Sequence, residues 1–128
     1  MNKVAHIGLI VKDVDRSVEF YTKLCGCALL PEKAYENNLI RIQFLSLGDV
    51  VIEILQHKAP DPVGNRWRGV VDHVAIETDD MEDVLTKMKE AGVKLLEGPR
   101  RSIIGASIAF FEAPDGERVE FIYPDCSD

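Results

Sequence analysis

Shifted by 67 positions against itself, the 128-residue chain sets His6 on His73, Glu53 on Glu120 and Asp13 on Asp80. The same shift sets Val4 on Val71, Leu29 on Leu96 and Phe44 on Phe111. Identity between the halves is otherwise little above chance, so the weight lies in which residues coincide. The chain has three histidines, and two of them pair at the shift that also pairs two glutamates and two candidate helix caps. A repeat of this length in a chain of mixed strand and helix patterns implies two copies of one supersecondary unit packed together.

Each copy reads as strand, helix and three strands. Residues 3–11 are mostly apolar and β-rich, which predicts a buried strand. Asp13 is a good N-cap, Val14, Val18, Tyr21 and Leu24 follow helical spacing, and Gly26 ends the helix. Strands are expected at 28–35, 39–46 and 50–56, with turns at Asn37-Asn38 and Gly48-Asp49. Residues 57–70 carry two prolines, two glycines and no apolar period, so they read as a connection. The pattern then restarts with a strand at 70–78. A helix capped by Asp79-Asp80 follows, with Met81, Val84, Leu85, Met88 and Ala91 as its apolar stripe and Gly92 at its end. Strands at 93–97, 106–112 and 117–123 complete it, the last two joined by Pro114-Asp115-Gly116. The expected layout is one α+β domain: a first module over about 1–57, a linker over about 58–69 and a second module over about 70–124.

Composition narrows the function. Apolar residues make up 46% and charged residues 29%, a globular balance. No apolar run approaches the roughly 20 residues of a spanning helix, and the N-terminus lacks an export-signal pattern, so a cytoplasmic location is expected. The net charge of −7 argues against nucleic acid and anionic membranes as partners. Cys25, Cys27 and Cys126 are an odd number and lack zinc-site spacing, which predicts reduced thiols rather than disulfides or a thiolate zinc site.

Glu53 lies within VVIEIL and Glu120 within RVEFIY. An ionised carboxylate in such an apolar strand is costly unless a metal ion, a cation or an open cavity receives it. A lone strand histidine is more often structural than a ligand. Two His–Glu sets on equivalent strands of equivalent modules are different, because strand alternation can point all four to one face. Two imidazoles and two carboxylates suit a borderline divalent ion such as Zn, Ni, Co, Fe or Mn.

These residues, in HIGLIVKDVDRSVEFYTKLCG, VVIEIL, DHVAIETDDMEDVLTKMKEAGVKLLEGP and FFEAPDGERVEFIY, resemble the vicinal oxygen chelate superfamily over nearly the whole chain. That group includes glyoxalase I, methylmalonyl-CoA epimerase, extradiol dioxygenases, fosfomycin-resistance enzymes and bleomycin-binding proteins. The resemblance implies two βαβββ modules forming a cupped mixed sheet around a metal site, usually in a homodimer. It implies one divalent ion held by His6, Glu53, His73 and Glu120, meeting either within one chain or across the dimer. Dioxygenases of the group use three ligands and no acid at the position of Glu53, and fosfomycin enzymes also use three ligands. The resemblance therefore favours a glyoxalase I-like lyase or isomerase. Such an enzyme works by proton transfer through a metal-stabilised enediolate, on a small 2-oxo, thiohemiacetal or thioester substrate. By resemblance Glu120 is the base, with Glu53 as the alternative or its partner. An epimerase, an iron(II) dioxygenase and a metal-free drug-binding protein follow in that order; strand 39–46 offers the epimerase reading Arg41 and Gln43 but no further acid.

Bacterial glyoxalases of the group commonly carry Arg four residues after the first ligand and Asn four after the second, both serving glutathione. Here those positions are Ile10 and His57, so glutathione does not carry over with the resemblance. Residues 98–105, GPRRSIIG, also differ from the Lys-Gly-Gly type loop of those enzymes. Arg100 and Arg101 are candidate substrate clamps for a carboxylate or phosphate, and Trp67 a candidate pocket cover.

Overall fold

A computed structural model describes residues 5–58, 71, 73–102 and 105–124. The chain divides into two compact units, Met1–Arg68 and Gly69–Asp128. The first holds β1 (Ile7–Ile10), α1 (Val14–Lys23), β2 (Ala28–Glu36), β3 (Ile40–Leu47) and β4 (Val50–His57). The second holds β5 (His73–Glu77), α2 (Met81–Glu90), β6 (Leu95–Arg101), β7 (Ser107–Glu112) and β8 (Arg118–Tyr123). Each unit is a four-stranded mixed sheet, in order β1-β4-β3-β2 and β5-β8-β7-β6. In both, the first strand runs parallel to the last and the remaining pairs are antiparallel. Trp67 and most of the linker lie outside the described residues, as does Cys126. No helix among the described residues is long and apolar enough to cross a membrane.

The helices start where a short acidic side chain can receive the unpaired amides of the first turn. The Asp13 carboxylate accepts from the backbone N–H of Asp15 at 3.0 Å and of Arg16 at 3.4 Å. Asp80 accepts from the N–H of Asp83 at 3.0 Å. Gln56 of β4 ties in the first donor of α1, its Oε1 accepting from Val14 N–H at 2.9 Å. Each helix then covers one face of its own sheet. Val14, Phe20 and Tyr21 of α1 are buried with Leu45, Ile52 and Ile54. Val84 and Met88 of α2 are buried with Ile76, Ala109, Phe111, Val119 and Phe121. Fully burying such a side chain contributes about 1.5–3 kcal/mol, so these faces fix the register of both sheets. Cys25 and Cys27 are buried just after α1 and form no disulfide among the described residues, and burial pushes the Cys27 thiol up to about 11.

Two expectations change. The predicted strand at 93–97 instead runs Leu95–Arg101, with register shifts between Leu95 and Glu97 and between Glu97 and Arg100. Gly98 permits this: its φ is +91°, and a Cβ there would lie 2.6 Å from the Ile108 carbonyl oxygen. The single shift of 67 also fails across the β6–β7 hairpin. Phe44 pairs with Glu53, but the residue paired with Glu120 is Phe110, not Phe111. Phe111 instead matches Leu45, since these pair with Val119 and Ile52. Leu29 pairs with Leu45 and Leu95 with Phe111, so Leu29 matches Leu95 rather than Leu96. The hairpin is thus displaced by one residue. Gly92 follows α2 one residue sooner than Gly26 follows α1, and the turn after β7 is one residue longer than the Gly48-Asp49 turn.

Candidate functional site

The face of each sheet turned away from its helix carries the predicted ligands. In the first unit Gly8 stands opposite Glu53 on the parallel neighbour, and Phe44 stands opposite Glu53 on the other side. His6 precedes Gly8 by two residues, which returns its side chain to the same face. Its ring meets Phe44 edge-on, with centroids 5.3 Å apart and planes at 82°. That contact aims Nε2 at Glu53, 3.8 Å from Oε1. Gly8 makes the room: a Cβ there would meet Glu53 Oε1 at 3.1 Å.

The second unit repeats the arrangement. Ala75 and Phe110 flank Glu120 in register. His73 meets Phe110 edge-on at 5.3 Å and 85°, and its Nε2 lies 3.2 Å from Glu120 Oε1. The glutamate side chains are only 18% and 11% exposed, while the imidazoles are 40% and 36% exposed. Among the described residues neither carboxylate is paired with an arginine or lysine.

A carboxylate so enclosed, with no arginine or lysine beside it among the described residues, is costly in isolation. A divalent ion would offset the cost. Two donors each about 2.1 Å from one ion at a tetrahedral angle lie about 3.4 Å apart, and the two Nε2–Oε1 separations bracket that value. Nitrogen and oxygen donors of this type fit a borderline divalent metal. The four residues come as two pairs, one in each unit, and among the described residues no group of three or more His, Cys, Asp or Glu is brought together.

Strand alternation divides Arg100 from Arg101. Arg100 pairs with Ile108, placing it on the face of Phe110 and Glu120, whereas Arg101 pairs with Ser107 on the opposite face. Arg101 Nη2 reaches back toward Gly105. Arg100 is bound to Glu97, through Nε at 2.7 Å and through a close Nη2 contact. Ile10 and His57 lie on the face of Glu53, Ile10 opposite Leu55 and His57 at the far end of β4. The face presented by β3 consists of Ile40, Ile42, Phe44 and Ser46; Arg41 instead reaches α1, forking onto Asp15 at 3.0 and 2.6 Å.

Sequence reasoning missed Arg118. It lies two residues before Glu120 on the same face and puts its guanidinium carbon 4.3 Å from the Phe110 ring centroid. Its Nη2 also lies 3.5 Å from Glu97 Oε2. The alternation in Arg118-Val119-Glu120 carries that signal. The roles of Phe44 and Phe110 needed the register.

Known proteins resemble this chain in sequence and in architecture. The chain is 32% identical over 128 residues to a probable lactoylglutathione lyase of Vibrio cholerae, covering 94% of this chain and 90% of the relative. It is 28% identical over 123 residues to an uncharacterized protein, YwbC, of Bacillus subtilis, covering 93% and 95%. A crystal structure of a glyoxylase/bleomycin resistance protein/dioxygenase domain from a Frankia species has the same fold, with a TM-score of 0.78 at 20% identity over 100% of this chain and 96% of that one. The model of the Glyoxalase/Bleomycin resistance protein/Dioxygenase superfamily matches residues 3–121, and the chain belongs to that superfamily.

Proposed function

We propose that the chain is a divalent-metal-dependent enzyme of the glyoxalase I type, a lyase or isomerase that moves a proton between neighbouring carbons of a small 2-oxo-derived substrate. The observation that carries this reading is the His–Glu pair in each unit, Nε2 facing Oε1 at 3.8 and 3.2 Å. His6, Glu53, His73 and Glu120 would hold the ion. When bound, a divalent ion supplies Lewis-acid stabilisation of the negative charge that develops on the substrate oxygens. Glu120 takes the proton from the carbon beside the carbonyl and returns it to the adjacent carbon; Glu53 is the alternative base. Glu120 is the more enclosed of the two, and Phe110 keeps His73 and Glu120 in register. Relatives named lactoylglutathione lyase or probable lactoylglutathione lyase support the reaction class.

The thiol carrier need not be glutathione. On the Glu53 face, Ile10 and Leu55 lie opposite each other and Phe44 lies beside them, an apolar surface where β1, β3 and β4 place no guanidinium fork. The absence of an acid on that face of β3 disfavours an epimerase with a second base from this strand. A homodimer is the expected assembly. The test is turnover of protein loaded in turn with Zn, Ni, Co and Mn, on methylglyoxal hemithioacetals of glutathione and of other small thiols. Metal-dependent isomerisation of at least one adduct, lost in Glu120→Gln, is expected. No turnover of any adduct with any of these metals would refute the proposal.

A further inference from the structure

The two units repeat the His–Glu pair but not what surrounds it. In register, Tyr35 pairs with Ile42 where Arg100 pairs with Ile108, and Val51 pairs with Ser46 where Arg118 pairs with Glu112. An aromatic and an aliphatic residue in the first unit thus correspond to two arginines in the second. The first unit continues its aromatic contact outward, Tyr35 meeting Phe44 edge-on at 6.2 Å. The second continues it with charge. Arg118 rests on Phe110, the ring that also abuts His73, and both arginines converge on the single carboxylate of Glu97. Because this feature is not duplicated with the ligand pairs, holding the metal does not explain it.

We propose that Arg118, with Arg100 beside it, binds a carboxylate carried by the substrate, so that the second unit receives the anionic end of an unsymmetrical molecule. A guanidinium fork matches a planar carboxylate and, stacked on a ring, is pre-oriented at little entropic cost. Glu97 engages Nε and Nη2 of Arg100 but only Nη2 of Arg118, and at 3.5 Å the latter contact is longer than a good charge-assisted bond. Arg118 is also the one nearer Glu120, two residues before it on the same face of β8. Residues two apart in a strand are about 6.7 Å apart, so a substrate reacting at Glu120 brings a carboxylate a few atoms away to Arg118. The Arg118 side chain is 39% exposed, which leaves it accessible. This assignment of substrate class rests on the reading of the site as one for small 2-oxo compounds.

The test is a titration of the nitrogen-15-labelled, metal-free full chain with pyruvate, with its neutral isostere methyl pyruvate, and with inorganic phosphate. Binding is followed at the arginine Nε–H resonances, the Arg118 signal being assigned by its loss in Arg118→Met. Pyruvate is expected to bind more tightly than the ester and phosphate. Arg118→Met should weaken pyruvate on the order of tenfold and leave the ester unchanged. Arg118→Lys, which keeps the charge and the stem over Phe110 but not the fork, should fall between. Equal binding of acid and ester, tighter binding of phosphate, or unchanged pyruvate affinity in both variants overturns the proposal. The titration uses no metal and no turnover, so failure of the isomerase reaction is read separately.

Discussion

Glu120→Gln separates a metal ligand from a structural residue. Gln fills the same volume, and its Oε1 can still accept from His73 Nε2, now 3.2 Å away. What it removes is a charge on a side chain 11% exposed with no arginine or lysine paired to it among the described residues. Desolvating that carboxylate opposes folding, so the metal-free variant should be as stable as the parent or more stable by about 1 kcal/mol. The metal-loaded comparison should go the other way. A metal present at a thousand times its dissociation constant stabilises the parent by about 4.1 kcal/mol, or roughly 10–20 °C for a chain of this size. If losing one ligand weakens the metal a thousandfold, the same concentration leaves only about 0.4 kcal/mol. Thermal melts of both proteins in chelator and in added Zn, Ni, Co and Mn measure this directly. A variant that loses more than about 1 kcal/mol in chelator, yet shows the parent's full shift with metal, would refute the ligand assignment.

Gly8→Ala places a Cβ 3.1 Å from Glu53 Oε1, so the carboxylate must move by a few tenths of an ångström; metal affinity should fall several-fold while the metal-free melt changes little, as calorimetric titration and melting can check. The Asp15 carboxyl is held below its ordinary value, chiefly by its hydrogen bond from Arg41. That contribution to stability is present above the unfolded pKa of about 4 and is lost as pH falls through the lower folded value. Asp15→Asn should therefore have a lower urea midpoint than the parent at pH 7, and the gap should close as the pH is taken below about 4.

Much of this architecture is legible without coordinates because its signals are local. Asp13 and Asp80 mark helix starts through side-chain chemistry at one position, and Gly48-Asp49 and Pro114-Asp115-Gly116 mark turns in the same way. The His–Glu pairs are legible because β1 with β4, and β5 with β8, keep the shift of 67. What sequence hides is register. Phe111 looks like the counterpart of Phe44, yet one residue lost before β6 makes Phe110 the ring beside Glu120, and a slip of one exchanges faces. Arg100 and Arg101 look like a pair, yet neighbours in a strand point apart. The end of β6 is also hidden, since GPRR reads as a loop until the close approach of Gly98 to Ile108 shows how the strand continues.

The displaced hairpin bears on how such a protein can change. A residue missing on one side of β6–β7 and an extra one on the other cancel before β8 is reached. The hairpin therefore behaves like a sliding cassette alongside a fixed pair of strands, β5 and β8, which carry His73 and Glu120. Length changes in the connections that flank it can present new side chains beside Glu120 while the histidine and glutamate keep their separation along the chain. Diversification of what the protein binds can thus proceed by small insertions and deletions, and not only by substitution, without disturbing the chemistry at its centre.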